Sequence, residues 1–197
     1  MNPVTRIVFA GLLGAGLITG GVYAIAQPPQ QQEQPLTPEQ KEAEQKARLQ
    51  LAADGLDKLY KLYPETRQAV EKAVGYAVFD VTSIYAILFV GQKGKGVLFD
   101  NATKKPTYMQ SMRAGTGPGV GKQRVFQVFV FKAKGAMDQF VLTGGLGGDV
   151  TATVSTGSDG MVRSFNPSID IYQIPESGMA LQASWGGTVY SVDSQLR

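Results

Sequence analysis

Leu49, Ala52, Leu56, Leu59 and Tyr63 recur at steps of three and four residues. That spacing gathers them into one stripe of an α-helix, with Lys41, Glu44, Arg48 and Lys58 mostly off the stripe. The helix start is legible at Thr37, Pro38 and Glu39: threonine suits the N-cap, proline the first helical position, and glutamate the positive end of the helix dipole. Pro64 interrupts the helix, a shorter one follows through Ala69, Val70 and Ala73, and Gly75 stops it. The stripe fits packing against a sheet, since a helix lying in a bilayer interface would want a more basic polar face.

From Tyr76 the period changes. Residues 76–81, 84–90, 96–100, 107–113 and 124–132 read as strands, with β-branched and aromatic residues concentrated among them, separated by turn-like stretches at 92–95, 101–106 and 115–122. Gaps this short predict an antiparallel meander. Residues 124–132 are apolar on both faces, which predicts an interior strand covered on both sides. Ala136, Met137, Phe140 and Val141 predict a short helix, and further strands are expected near 150–155, 169–174 and 180–192, with Gly186 and Gly187 marking a bulge or close backbone approach in the last. The expected fold class is α+β, with N-terminal helices packed on a large antiparallel β-meander curled into a barrel- or sandwich-like sheet.

The N-terminus has a different pattern. Arg6 precedes an uncharged apolar run over residues 7–26 that ends in AIA at 24–26 and turns polar at QPPQ, residues 27–30. A basic start, an apolar run and a small-x-small site form a secretory signal. The rival is a retained anchor, because the run is long enough to span a bilayer and its five glycines, Gly11, Gly14, Gly16, Gly20 and Gly21, suit close helix packing. No cysteine follows the run, which excludes a lipoprotein anchor. The chain is therefore expected to divide into a signal peptide or anchor over 1–26, a Gln/Pro-rich linker over 27–36 and one domain over 37–197, placed in the periplasm or otherwise outside the cytoplasm, with membrane association left open.

Composition narrows the chemistry. Twenty-four glycines and ten prolines suit a sheet-rich protein with many tight turns. Without a single cysteine or histidine, there can be no disulfide, thiolate metal site, Ser-His-Asp triad or histidine metal cage. Carboxylate-only chemistry remains open, with Asp80, Asp100 and Asp149 as candidates, but no paired-carboxylate spacing or metal cluster can be read. Residues 115–122, GTGPGVGK, imitate a phosphate loop but put Thr116 where glycine is needed and Gln123 where serine or threonine is needed. GGLGGD at 144–149 fails the dinucleotide pattern, and turn glycines explain both stretches. The expectation is a non-enzyme without cofactor or metal.

The net charge of +3 hides an uneven distribution. Residues 93–134 hold nine basic residues against one acid, Asp100, whereas 27–92 and 135–197 are net acidic. Such a concentration attracts anionic surfaces, unless the acidic C-terminal strands balance it in three dimensions. In the expected meander Lys93, Lys95, Lys122 and Arg124 share one end of the sheet, and Lys104, Lys105, Lys132 and Lys134 the other. The first set is the preferred lipid-binding candidate, because bare glycine backbone beside it lets phosphates approach N–H groups. Export argues against a nucleic-acid partner.

Several segments resemble the SYLF domain: GYAVFD at 75–80, GVLFD at 96–100, FVFKAKGAMDQF at 129–140, GDVTATV at 148–154, and DIYQI at 170–174 followed by GMALQASWG at 178–186. Their order matches over roughly residues 50–193. The resemblance implies a lipid-binding module, with bacterial relatives exported and eukaryotic ones binding phosphoinositides and actin. Where those eukaryotic domains carry a basic turn, this chain has PES at 175–177, which argues against phosphoinositide or actin as ligand and leaves anionic phospholipid. The expected function is thus binding of anionic phospholipid or a membrane surface through the basic patch; the alternatives are a structural module binding another envelope protein, or a carboxylate-based envelope hydrolase.

Overall fold

The computed structural model describes residues 35–143, 161–162, 166–176 and 188–197. The expected signal, most of the linker, the strand near 150–155 and the glycine pair at 186–187 lie outside the described residues.

Helix α1 runs from Pro38 to Leu62 and opens with a capping box, in which Thr37 Oγ1 accepts from the Gln40 N–H and the Gln40 side chain accepts from the Thr37 N–H. Its buried residues are Arg48, Ala52, Gly55 and Leu59. The expected stripe is therefore corrected at its first turn, where Leu49 is exposed and Arg48 takes the inward position. Helix α2 spans Thr66–Lys72 beyond Pro64, and α3 spans Lys134–Thr143.

Two 26-residue strands, β1 (Gly75–Asp100) and β2 (Pro106–Phe131), form one antiparallel ribbon in register from Gly75 opposite Phe131 to Phe99 opposite Pro106. Short strands β3 (Met161–Val162), β4 (Ile169–Pro175) and β5 (Thr188–Val192) complete the sheet. Among the described residues the order is β1-β2-β4-β3, with β5 on the other half of β2. Among the described residues the sheet stays open, giving a sandwich-like α+β fold that does not close into a barrel. Of the three expected turns only the one after Asp100 is a turn.

The other two fail for physical reasons. Gly94 and Gly96 are glycines because of close packing: a Cβ on Gly94 would stand 3.0 Å from Val81 Cγ2, and one on Gly96 would collide with the Phe79 ring. Those contacts show that β1 doubles back, its second arm (residues 89–100) lying against its first (75–86). The glycines of 115–121 serve the fold-back itself, with Gly119 and Gly121 at φ 151° and 129°.

At the fold-back the pairing is irregular between Ile87 and Phe89. The inward-facing set of β1 switches there from odd positions (Val81, Ser83, Tyr85) to even ones (Val90, Gln92, Gly94, Gly96, Leu98), at the irregularity where Leu88 of β1 faces two residues of β2, Gly117 and Pro118. Odd and even sets can therefore both serve one core, in which Phe79, Val81, Leu98, Met109, Phe129 and Phe131 pack with Met137 and Phe140 of α3 and with Tyr190.

The other face packs on α1, through Val78, Val97, Phe126 and Val128 against Ala52 and Leu59. Gly55 lets the helix approach, since a Cβ there would stand 2.6 Å from Val78 Cγ1. The C-terminal arm of β2 matches the expectation of a covered interior strand: it lies between β1 and β4, and every residue from Val125 to Phe131 is buried.

Candidate functional site

The fold-back places apolar side chains where nothing described covers them. Ile84, Ile87, Leu88, Phe89 and Val120 are 59–78% exposed. Ile87 and Phe89 are opposite Gly119 and Thr116 on β2, and Val120 is opposite Ala86 on β1, partners with little side chain to shelter them. Ile87 has φ 60°, a left-handed backbone that a β-branched residue adopts only at a steric cost. A surface run of large apolar residues on a strained bend marks a contact surface rather than random exposure.

Beside this bend the two arms of β1 border an open groove of about 600 Å³. Thr82 and Ile84 line it from the first arm, Gly91, Lys93 and Lys95 from the second, and Met112 and Arg113 from β2. Arg113 is only 7% exposed, and burial is the main cause lowering its pKa, opposed by Tyr190 and Tyr85. A guanidinium stays protonated under such a shift.

The four preferred lysine and arginine residues are distributed around this region, though not by the expected turns. Lys93 and Lys95 lie on the second arm opposite Met112 and Gln110, while Lys122 and Arg124 lie on β2 opposite Ile84 and Thr82. Two of them are engaged. Lys95 Nζ is 2.7 Å from Glu44 Oε1, and Arg124 donates to Asp80 at 2.7 Å and to Glu176 at 2.9 Å. The hydrogen bond from Lys95, joined by Arg48, holds the Glu44 carboxyl below its ordinary range despite burial, and the bond to Asp80 raises the pKa of Arg124. Among the described residues no ion pair engages Lys93 or Lys122.

The second set sits at the opposite end of the ribbon. The turn carrying Lys104 and Lys105 returns to the ribbon's open end, where Asn101 donates from its backbone to Val74 and from its side chain to Val70 and Ala73. Lys132 pairs with Asp170 and Lys134 with Asp138. Asp100 accepts from the Thr103 and Ala102 N–H groups, which lower its pKa, helped by Lys134 and Lys104. Of the candidate carboxylates, Asp80 is thus held by Arg124, Asp100 caps a turn, and Asp149 lies outside the described residues.

Sequence reading missed the apolar bend and the buried Arg113. Residues 84–90 are apolar on both faces, as 124–132 are. The signal that separates them is the partner: a two-sided apolar run opposite a glycine-rich one has no side chains to cover it.

No family model matches the chain. The chain is similar to beta cell expansion factor A of Aeromonas veronii, with 33% identity over 147 residues, 74% of this chain and 56% of that protein. It thus spans about half the length of the curated relative it matches.

Proposed function

We propose that the protein is a non-catalytic membrane-binding module of the SYLF type that acts outside the cytoplasm and seats the Ile87 bend in an anionic phospholipid surface. The observation that carries this reading is the five exposed apolar residues at the bend, with Lys122 paired in register to one of them, Ile84. Apolar side chains moved from water into the interface contribute roughly 1.5–3 kcal/mol each when fully buried. Each lysine near an anionic surface adds on the order of 1 kcal/mol.

The roles are divided accordingly: the bend inserts, and Lys122 and Lys93 attract phosphate. Arg124 and Lys95 are committed to Asp80, Glu176 and Glu44 and position the arms. The relative's name describes an effect on beta cells; for this chain it supports only a reading in which the protein works outside the cell that makes it. A second reading, docking of another envelope protein through the sheet, has one observation in its favour: Met112 and Val189 are opposite each other and both exposed.

Flotation with liposomes tests the proposal. Binding is expected to anionic but not zwitterionic vesicles, to weaken with salt, and to fall about thirtyfold in Lys93→Ala/Lys122→Ala, the equivalent of roughly 2 kcal/mol. Salt-independent binding, or a double variant that binds as wild type, would contradict it.

A further inference from the structure

Lys95 stands apart from the phosphate-attracting lysines only because Glu44 holds it. We propose that Glu44 is a releasable guard over Lys95: as a carboxylate it withholds Lys95 from anionic surfaces, and once protonated it leaves Lys95 free to join Lys93 on phosphate. This regulation rests on the membrane reading above and acts on the same basic face. Three observations lead there.

The first is placement. Lys93 and Lys95 are two residues apart on the second arm of β1, so their side chains leave one face of the strand roughly 7 Å apart. Both are exposed and both border the groove. That spacing is within one Debye length at physiological salt, about 8 Å. A phosphate surface that meets Lys93 therefore also acts on an unpaired Lys95.

The second is an asymmetry in the ion-pair cluster. One oxygen of Glu44, Oε1, accepts from Lys95 Nζ at 2.7 Å and from Arg48 Nε at 2.9 Å. When Glu44 loses its charge, Arg48 keeps the Met109 carbonyl and Asp193. Lys95 has no other ion pair among the described residues. Neutralising Glu44 thus frees Lys95 alone, while Arg48 still ties α1 to the sheet.

The third is access. The side chains of Glu44 and Lys95 are 29% and 54% exposed, so protons and phosphates reach the pair without unfolding. The charges around Glu44 come from three elements. They are Arg48 and, one turn back, Lys41 on α1; Lys95 on β1; and Asp193 and Arg197 of the C-terminal segment, which Arg48 and Lys41 contact. The hydrogen bond from Lys95 is the largest cause holding the Glu44 carboxyl below its ordinary value of 4.5. With its folded pKa depressed, Glu44 is charged at neutral pH and protonates only as pH falls below that value. Acid opens the guard.

Flotation of the full chain with vesicles of equal parts phosphatidylglycerol and phosphatidylcholine, at neutral pH, tests the guard. Glu44→Gln is expected to bind about fivefold more tightly than wild type, the equivalent of one lysine gained. Glu42→Gln changes the net charge equally, but Glu42 is exposed and outside every ion pair among the described residues. It is expected to gain less than about twofold, as a screened charge does. In a Lys95→Ala background the two substitutions are expected to have equal effects. On acidification to about pH 3.5 the wild type is expected to close most of its gap to Glu44→Gln.

Elution from phosphocellulose reads the same masking without a bilayer, and there Glu44→Gln is expected to need more salt than Glu42→Gln. If no variant floats but that order holds on phosphocellulose, the membrane reading fails and the guard stands. Equal effects of Glu44→Gln and Glu42→Gln in both measurements would overturn the guard. So would an advantage of Glu44→Gln that persists in Lys95→Ala, or a gap that is unchanged at about pH 3.5.

Discussion

The ring of Phe79 fills the space that a side chain at Gly96 would need, and this contact locks the two arms of β1 together. Phe79 is fully buried and makes edge-to-face contacts with Phe129 and Tyr190 at centroid distances of 5.8 and 5.0 Å. It cannot move aside without disturbing both rings. Gly96→Ala is expected to destabilise the fold by about 1–3 kcal/mol through overpacking, read as a lower urea midpoint. Gly91→Ala, which meets nothing within 4 Å, is expected to change stability by less than about 0.5 kcal/mol. Similar effects for the two variants would mean that the arms do not pack as described.

Arg48 is the second lock. From α1 its guanidinium donates to the Met109 carbonyl at 2.7 Å and pairs with Glu44 at 2.9 Å and Asp193 at 3.1 Å. At 4% exposure its removal leaves Asp193 and a buried carbonyl without their donor. Arg48→Ala is expected to cost about 3 kcal/mol, at the lower end of the range for a broken buried pair because Asp193 is partly exposed. Chemical denaturation measures it, and a loss under about 0.5 kcal/mol would contradict the assignment. Removing residues 37–63 altogether uncovers Val78, Val97 and Phe126, so aggregation of that deletion is expected.

Acid is expected to loosen the same junction. The Glu44 carboxyl is held below its ordinary pKa of about 4.5 by the hydrogen bond from Lys95 and by Arg48. A carboxyl depressed in the folded state stabilises fully above the unfolded value and loses that contribution as pH falls through the lower folded value. The wild type is thus expected to lose stability below about pH 4.5 beyond what Glu44→Gln loses over the same interval. Denaturation curves between pH 6 and 3 show this as convergence of the two proteins at low pH. Parallel curves would exclude Glu44 as the titrating group.

Much of the fold was legible because its signals are local. The Thr37-Pro38 cap, the break at Pro64, the short helix through Met137 and Phe140, and the two-sided burial of residues 125–131 each follow from residues within a few positions of one another. Glycine was the main source of error. Gly94, Gly96 and the glycines of 115–121 carry the same local signature as turn glycines, whereas their purpose is contact with Val81 and Phe79, or the fold-back, set by residues far away in sequence. Arg48 was assigned to the solvent side for a similar reason: its partners, Met109 and Asp193, are 61 and 145 residues away. At the candidate site the basic residues could be read from composition, but their availability could not, because Glu44 and Glu176, which engage Lys95 and Arg124, come from other elements.

The central claim is that the Ile87 bend enters the membrane, and the absence of cysteine allows a direct measurement. A cysteine introduced at Leu88 carries an environment-sensitive fluorophore at the bend, and one at Ala102 carries it at the opposite end of the ribbon. On addition of anionic vesicles, the Leu88 label is expected to shift to the blue and to be quenched by lipids brominated on their acyl chains, while the Ala102 label stays in water. A Leu88 label that remains unshifted when the protein is vesicle-bound, or an Ala102 label quenched as strongly, would contradict the account.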